Sequence, residues 1–241
     1  MRLPLFAAGL FLSLLRADAQ TPAEKKGWGG GADVAATLKA HWYYNWTPRG
    51  GTTPALEFVP MVKGKWDARP ETLAAIKAGG AKVLLGFNEP ERAGQGNVTV
   101  EEALDLWPKL METGLRLGSP APSSDGAGMA WLEKFMEGVA KRKLRVDFVA
   151  LHWYRSANPD ELEKWLDELH RKYRRPLWLT EFDAQYSGGD CDRFAEHAFK
   201  ILDRMRAVER YAYFTTGPGQ PGSLWKTPGV LSPLGEIYVK H

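Results

Sequence analysis

Residues 82–90 read KVLLGFNEP, and residues 177–182 read LWLTEF. Each stretch is a short apolar run with the length of a buried strand, and each runs into a glutamate, Glu89 or Glu181. Strands that are apolar throughout are typical of a parallel sheet covered by helices. Because both acids stand at the ends of such strands, we expect them to meet at one rim of the sheet.

Six further strand signals repeat this arrangement, and helix signals separate most of them. The eight predicted strands are residues 25–29, 41–46, 57–62, 82–87, 115–118, 148–153, 177–180 and 211–215. Thr99 and Glu102 form a capping box before a helical apolar stripe, and Asn158 precedes a proline at the start of another helix. Asp67 is the predicted cap of a helix over 68–78.

Eight strand and helix units predict an α/β fold, a single (β/α)₈ TIM barrel. A chain of 241 residues has room for one such domain, which we place at residues 20–241, and none for a second. An open doubly wound sheet is the structural alternative. No glycine-rich phosphate-binding motif follows an early strand, so nucleotide-binding versions of that sheet are disfavoured.

The N-terminus resembles a targeting segment. Arg2 precedes an apolar run over 3–15, and small residues at Ala17 and Ala19 fit a cleavage site before Gln20. The run is too short to span a bilayer comfortably. We therefore predict a signal peptide over residues 1–19 and export to the periplasm or outside the cell, with an uncleaved membrane tether as the alternative.

Composition excludes several classes of function. A formal net charge of +3 is too weak a field to indicate nucleic acid or an anionic membrane as a partner. Cys191 is the only cysteine, so no intrachain disulfide can form, and a buried, inert thiol is expected there. The five histidines are scattered without zinc-like spacing, and we predict no metal and no cofactor.

Paired carboxylates at two strand ends suit the cleavage of a glycosidic bond. One carboxyl group must protonate the leaving oxygen, and the other must attack the anomeric carbon or activate a water. Glu89 and Glu181 are the candidates, because most other acidic residues lie on predicted helices. His152 ends the sixth strand, where it is either a buried core residue or part of the site.

The ordered motifs resemble those of glycoside hydrolase family 128, in clan A of the glycoside hydrolases. The resemblance covers residues 28–238. It rests on HWYYNW at 41–46, EFVPM at 57–61, GFNEP at 86–90, QGN at 95–97, GSPA at 118–121, LHWY at 151–154, WLTEF at 178–182 and LSPLG at 231–235.

The resemblance implies a retaining hydrolase that cleaves β-1,3-glucan, with endo action. It implies that Glu89 is the acid/base, that Glu181 is the nucleophile, and that Asn88 hydrogen-bonds the sugar 2-hydroxyl. Retention implies carboxyl groups about 5–5.5 Å apart. Glu91 stands where the family often has aspartate, and Tyr213 stands where it often has tryptophan; both departures concern the subsites.

Two other functions remain open at this stage. One is a clan A hydrolase acting on another β-glycan, such as a mannan, a xylan or a β-1,4-glucan. The other is a carbohydrate-binding barrel without catalysis, although such loss normally removes a carboxylate and both are present here. In every case the expected partner is a polysaccharide, and the chain is expected to act as a monomer.

A neutral polysaccharide offers hydrogen bonds and C–H faces rather than charge, so aromatic residues near the barrel mouth are candidates for stacking. Trp42, Tyr44 and Trp46 alternate along the second strand and share one face, opposite Tyr43 and Asn45.

We expect at least two of Trp46, Trp153 and Trp225 to line the cleft that contains the two glutamates. His152, Tyr154 and Tyr44 are the other candidates for substrate binding.

Overall fold

The computed structural model describes residues 21–50 and 56–241, so the predicted signal peptide over 1–19 lies outside the described residues. The strands are β1 Lys26–Gly29, β2 Trp42–Tyr44, β3 Glu57–Phe58, β4 Val83–Leu84, β5 Arg116–Leu117, β6 Val149–Trp153, β7 Leu177–Phe182, β8 Val208–Tyr213, β9 Trp225–Thr227 and β10 Val230–Leu231. The helices are α1 Pro22–Lys25, α2 Ala32–Thr37, α3 Pro70–Ala78, α4 Val100–Met111, α5 Gly126–Lys141, α6 Pro159–Tyr173, α7 Cys191–Arg204 and α8 Pro233–Lys240, with a 3₁₀ turn at Lys65–Asp67.

Strands β1 to β8 form a closed parallel barrel. Six of them pair in the order β3-β2-β1-β8-β7-β6, and β4 pairs with β5. Isolated parallel bridges between Met61 and Leu85, and between Gly118 and Phe148, join these two groups at β3–β4 and at β5–β6. The prediction of a (β/α)₈ barrel is confirmed over the open sheet, because the pairing of the first strand with the eighth and the two bridges together link all eight strands in a ring.

The predicted strands are all present, but most are shorter than the apolar runs that predicted them. The runs 41–46 and 82–87 contribute only Trp42–Tyr44 and Val83–Leu84 to the regular ladders. Beyond those residues the chain leaves the ladder and forms the rim of the barrel. An apolar run indicates that its residues are buried, but not which of them pair with a neighbouring strand. The sequence alone therefore could not predict where these strands end.

The barrel has two apolar layers. Residues inside it form one cluster: Trp42, Tyr44, Val59, Met61, Val83, Leu85, Phe148, Trp178 and Ala212, with Trp46 packed against it. Tyr43 instead belongs to the larger cluster between strands and helices, where its ring contacts Phe58. The predicted alternation along β2 is therefore confirmed, because successive side chains of a barrel strand face opposite ways.

Helix starts follow the sequence signals with one exception. At the start of α4, the Thr99 hydroxyl accepts from the Glu102 backbone amide, and the Glu102 carboxylate accepts from the Thr99 backbone amide. The Asn158 side chain caps α6. Asp67 does not cap α3, which begins at Pro70. Its carboxylate accepts from the Lys63 amide at 3.1 Å and closes the 3₁₀ turn instead.

Two further features of the described residues bear on earlier expectations. The thiol of Cys191 is free and buried at the start of α7, as expected. None of the helices in residues 21–50 and 56–241 is both long and apolar enough to cross a bilayer.

Two buried lysines, one at the end of α1 and one at the start of β1, contact the last two helices of the barrel. The ammonium of Lys25 donates to the carbonyls of Leu202, Asp203 and Met205, at 3.1, 2.9 and 2.9 Å, where α7 ends. Lys26 donates to the Tyr238 carbonyl in α8 at 2.8 Å. Carbonyls at a helix C-terminus have no partner within the helix, and a cation there also interacts favourably with the helix dipole.

We expect Lys25→Met to lower the free energy of unfolding by about 1–3 kcal/mol, because it leaves buried carbonyls without a donor. Lys200→Met, on the exposed side of α7, is the matched control and should change it by less than about 0.5 kcal/mol. Urea unfolding followed by tryptophan fluorescence measures both. Equal losses in the two variants would contradict the anchoring role of Lys25.

Candidate active site

A cleft of about 650 Å³ opens at the C-terminal ends of the barrel strands. Its wall includes Glu89, Glu181, Tyr154, Tyr186 and Phe214. The two glutamates, which lie 92 residues apart in the chain, therefore share one cavity. This is the face at which barrel enzymes carry their active sites.

Glu89 occupies a strained backbone position. Its φ is 38°, in the left-handed region that residues with a side chain seldom adopt. The strain is held by the surrounding loop, since the Glu89 amide donates to the Ala121 carbonyl at 2.8 Å and its carbonyl accepts from the Arg92 amide at 3.0 Å. Strain that neighbours maintain in this way clusters at functional sites.

The neighbouring loop also requires a glycine. The Gly96 amide donates to the Asn88 carbonyl at 2.8 Å, and a Cβ at Gly96 would lie 2.5 Å from that oxygen. Only glycine permits this close approach of two backbones, which fixes the segment that precedes Glu89.

A β-bulge brings Glu181 into the barrel mouth. Leu151 is paired with Leu179, but the next residue of β6, His152, is paired with Glu181, so Thr180 is the extra residue. Trp178 points inward, and strict alternation would send Glu181 outward toward the helices. The bulge reverses the alternation and places the carboxylate beside His152.

Three donors hold the carboxylate of Glu181. Oε1 accepts from Trp46 Nε1 at 2.7 Å and from the Tyr44 hydroxyl at 3.3 Å, and Oε2 accepts from the Tyr154 hydroxyl at 2.8 Å. Trp46 itself has a left-handed φ of 57°. The donors come from the ends of two other strands, so the orientation of this carboxylate is fixed by the closed barrel.

His152 lies between the two glutamates. Nδ1 is 3.4 Å from Glu89 Oε1, and Nε2 is 3.5 Å from Glu181 Oε1, while the imidazole is fully buried. Burial by itself lowers the pKa of His152, but the charges of Glu181 and Glu89 outweigh it, so the pKa is raised. The two carboxylates therefore favour the protonated form of the imidazole.

The pKa of Glu89 is shifted in the opposite direction, in part by the same histidine. Burial raises the pKa of Glu89, but the hydrogen bond and charge of His152, together with the charge of Arg92, outweigh burial and lower it. The unliganded site therefore favours an ionised Glu89.

Trp153 does not line the cleft, and the expectation for it is wrong. It is buried in the layer between strands and helices, where its ring packs against Trp165 of α6 and its N–H donates to the Ser156 carbonyl. The physical reason is the alternation of β6: His152 faces the barrel interior, so the next residue faces the helices.

Trp225 does not reach the glutamates either. It begins β9 in a two-stranded hairpin after the barrel, and its ring packs against the outer core. Of the three tryptophans expected in the cleft, only Trp46 contacts one of the glutamates, so the prediction of at least two is wrong. Trp46 contributes its N–H to Glu181, with its ring edge-on to Tyr44 and Phe214.

Two other expected binding residues are buried. Tyr44 is fully buried, and its hydroxyl proton is shared between the Thr180 carbonyl at 2.9 Å and Glu181 at 3.3 Å, so it supports the carboxylate from below instead of contacting a ligand. Asn88 is 3% exposed, and its Oδ1 has no hydrogen-bond partner among the described residues. A buried acceptor without a donor is available to a ligand hydroxyl.

Sequence reasoning missed several residues of the cleft. Phe214 lies in it with its ring near Tyr154, whereas Tyr213 packs outward against Phe199. The alternation of β8 carried this signal, because Ala212 belongs to the inner cluster. Tyr186, which is 75% exposed and edge-on to Tyr154, comes from a loop for which the sequence has no comparable pattern.

Within residues 21–50 and 56–241, no group of three or more histidine, cysteine or acidic residues has the geometry to hold a metal ion. The reactive groups of the cleft are its two carboxyl groups, with the imidazole between them and the donors around Glu181.

A parallel eight-stranded barrel with paired glutamates at the ends of β4 and β7 defines a carboxylate-pair glycoside hydrolase. Comparison with known proteins agrees with this class. The family model described as "Glycosyl hydrolase catalytic core" matches residues 23–238.

Solved structures place the chain within that class more narrowly. A subgroup I endo-β-1,3-glucanase of glycoside hydrolase family 128 from Amycolatopsis mediterranei, in complex with laminaritriose, is 36% identical. The match has a TM-score of 0.80 and covers 90% of this chain and 99% of that one. A subgroup III exo-β-1,3-glucanase from Blastomyces gilchristii is 31% identical with a TM-score of 0.75, covering 92% and 100% of the two chains.

A curated relative is similar over the same region. Alkali-sensitive linkage protein 1 of Schizosaccharomyces pombe is 32% identical over 231 residues, which include 87% of this chain. The chain spans 42% of the length of that protein. By sequence and structure together, this chain belongs to glycoside hydrolase family 128.

Removing the charge of Glu181 should lower the pKa of His152. We expect Glu181→Gln to move the His152 titration to lower pH, because burial then acts with one opposing carboxylate fewer. Imidazole NMR signals followed from pH 4 to 9 in the wild type and the variant measure this. An unchanged His152 titration would contradict the coupling.

Proposed function

We propose that this protein is a retaining endo-β-1,3-glucanase in which Glu181 is the nucleophile and Glu89 is the acid/base. The observation that carries the proposal is the triad across the cleft, in which His152 lies within 3.5 Å of both carboxylates. Such a pair of unequal carboxyl groups is what double displacement at an anomeric carbon requires.

The unequal surroundings assign the two roles. A nucleophile must stay in one orientation, and Glu181 is held by Trp46, Tyr44 and Tyr154. An acid/base must exchange protons with the leaving group and then with water. Glu89 sits in a turn at the cleft wall with Arg92 as its nearest cation on the solvent side.

In the first step, Glu181 attacks the anomeric carbon and forms a glycosyl ester, while Glu89 gives its proton to the departing glycosidic oxygen. In the second step, Glu89 takes a proton from water, and the water displaces Glu181 from the same carbon. Two inversions return the original anomeric configuration. A glycan in the cleft also excludes water from Glu89, and desolvation, already the largest influence on its pKa, then acts toward the protonated acid.

The cleft offers groups suited to a neutral sugar polymer. Tyr186 and Phe214 present aromatic surface beside the carboxylates. Asn88, next to Glu89 in the chain, has a buried side-chain oxygen without a partner, which we assign to the sugar 2-hydroxyl. The β-1,3 linkage and endo action follow from the subgroup I enzyme, which was solved with laminaritriose. Glu→Ala variants of that enzyme at two different glutamates were also solved with laminari-oligosaccharides.

We also propose that the protein acts after export, to the periplasm or outside the cell, because residues 1–19 have the pattern of a signal peptide. We propose that it acts there as a monomer. A polymeric β-glucan is too large to enter a cell, so a secreted hydrolase matches the substrate.

A polysaccharide screen tests the substrate. We expect laminarin and curdlan to yield reducing ends, mixed oligosaccharides to appear early, and the first products to be β-anomers by ¹H NMR. Mannan, xylan and β-1,4-glucan should remain intact. Early release of glucose alone would mean exo action; cleavage of another glycan would change the substrate, and α-anomers would exclude retention.

Separate variants test the two roles. Glu89→Gln and Glu181→Gln should both stay folded and lose most activity on laminarin, by about 10²–10⁴-fold or more. Azide should restore turnover of an activated aryl laminaribioside to Glu89→Gln, because it can attack the glycosyl ester without a general base. Glu181→Gln should give no such recovery, and equal rescue of both variants would mean that the roles are assigned wrongly.

A further inference from the structure

Arg92 lies beside the Glu89 carboxylate, near the oxygen that does not face His152. Its Nε is 3.6 Å from Glu89 Oε2, whereas the other oxygen, Oε1, faces Nδ1 of His152. The two carboxylate oxygens therefore face two different cationic groups. Arg92 is the one that lines the open cleft, with about half of its side chain exposed.

Asp125 holds the guanidinium in this place. Its Oδ2 accepts from Arg92 Nη2 at 2.8 Å, and its Oδ1 caps α5 by accepting from the Gly128 amide at 2.9 Å. Because one oxygen of Asp125 is fixed by the helix N-terminus, the other is a rigid attachment point. Arg92 is thus tied to α5, an element that follows a different strand from the one that carries Glu89.

We propose that Arg92 is a positioning residue for Glu89, held by Asp125 at a distance that sets how strongly the acid/base retains its proton during catalysis. This inference rests on the proposed function, in which Glu89 protonates the leaving group. Arg92 itself takes no part in bond making or bond breaking. Its charge acts on Glu89, and Asp125 limits that charge both by its own opposite sign and by its hydrogen bond.

The charged groups that face Glu89 come from several elements. His152 of β6 and Arg92 lower the pKa of Glu89, whereas burial and Asp125 raise it. Glu181 of β7 lies beyond His152, and Glu91 lies 3.7 Å from Arg92 Nε, with its own carboxylate accepting from the Ser123 amide. Arg92 and Asp125 therefore act on Glu89 with opposite signs.

The test is the pH dependence of kcat/KM on laminarin, whose alkaline limb reports the pKa of the acid in the free enzyme. Arg92→Met removes the cation, so the alkaline limb should move to higher pH by about 0.5–1 pH unit. The shift is small because the guanidinium is half exposed and solvent screens its charge. Asp125→Asn should move the limb down, and asparagine still caps α5, so the fold is preserved. Arg92→Lys keeps the charge and should leave the limb near its original place.

Arg142→Met is the matched control, because it breaks an ion pair with Asp105 on the outer helices. It should not move the limb. A second readout, the ¹³C titration of the Glu89 carboxyl in the unliganded proteins, should shift in the same directions without reference to turnover.

The outcomes separate this inference from the proposed function. An active wild type that depends on Glu89, with the same limb and the same carboxyl titration in Arg92→Met and Asp125→Asn, overturns the inference alone. Shifts of the same sign in the two variants also overturn it. A wild type without activity on β-1,3-glucan overturns the proposed function, and unshifted carboxyl titrations would then overturn the inference separately.

Discussion

The parallel pairing of β1 with β8 is the contact on which the rest of this structure depends. It closes the barrel, and closure alone gives the strands an interior face that Trp42, Phe148 and Trp178 can fill. Lys25, just before this strand, and Lys26, its first residue, donate to carbonyls at the ends of α7 and α8. The active site is built directly on this filled interior, since Tyr44 lies between the packed aromatic layer and the Glu181 carboxylate.

Two departures from regular backbone complete the site. The bulge at Thr180 turns Glu181 inward, and the left-handed conformation of Glu89 directs the other carboxylate toward the same imidazole. Each departure costs backbone energy that the surrounding fold must offset. The two carboxyl groups consequently face each other across His152.

The charges around Glu89 show how one carboxyl group is prepared for two protonation states. His152 and Arg92 stabilise its ionised form, whereas burial and Asp125 favour the protonated form. A general acid that later becomes a general base needs such a balance, because a strong bias in either direction slows one of the two steps. In this fold the balance is set by residues from three separate strand-to-helix segments.

The sequence by itself determined the eight strands, the barrel, the two glutamates and their family, because apolar runs and local motifs are properties of neighbouring residues. It also carried the alternation that places His152 inside the barrel and Trp153 outside it. Tertiary structure alone decided the bulge at Thr180, the donation of Trp46 to Glu181, and the link between Arg92 and Asp125. These contacts join residues distant in the chain, so only closure of the barrel brings them together.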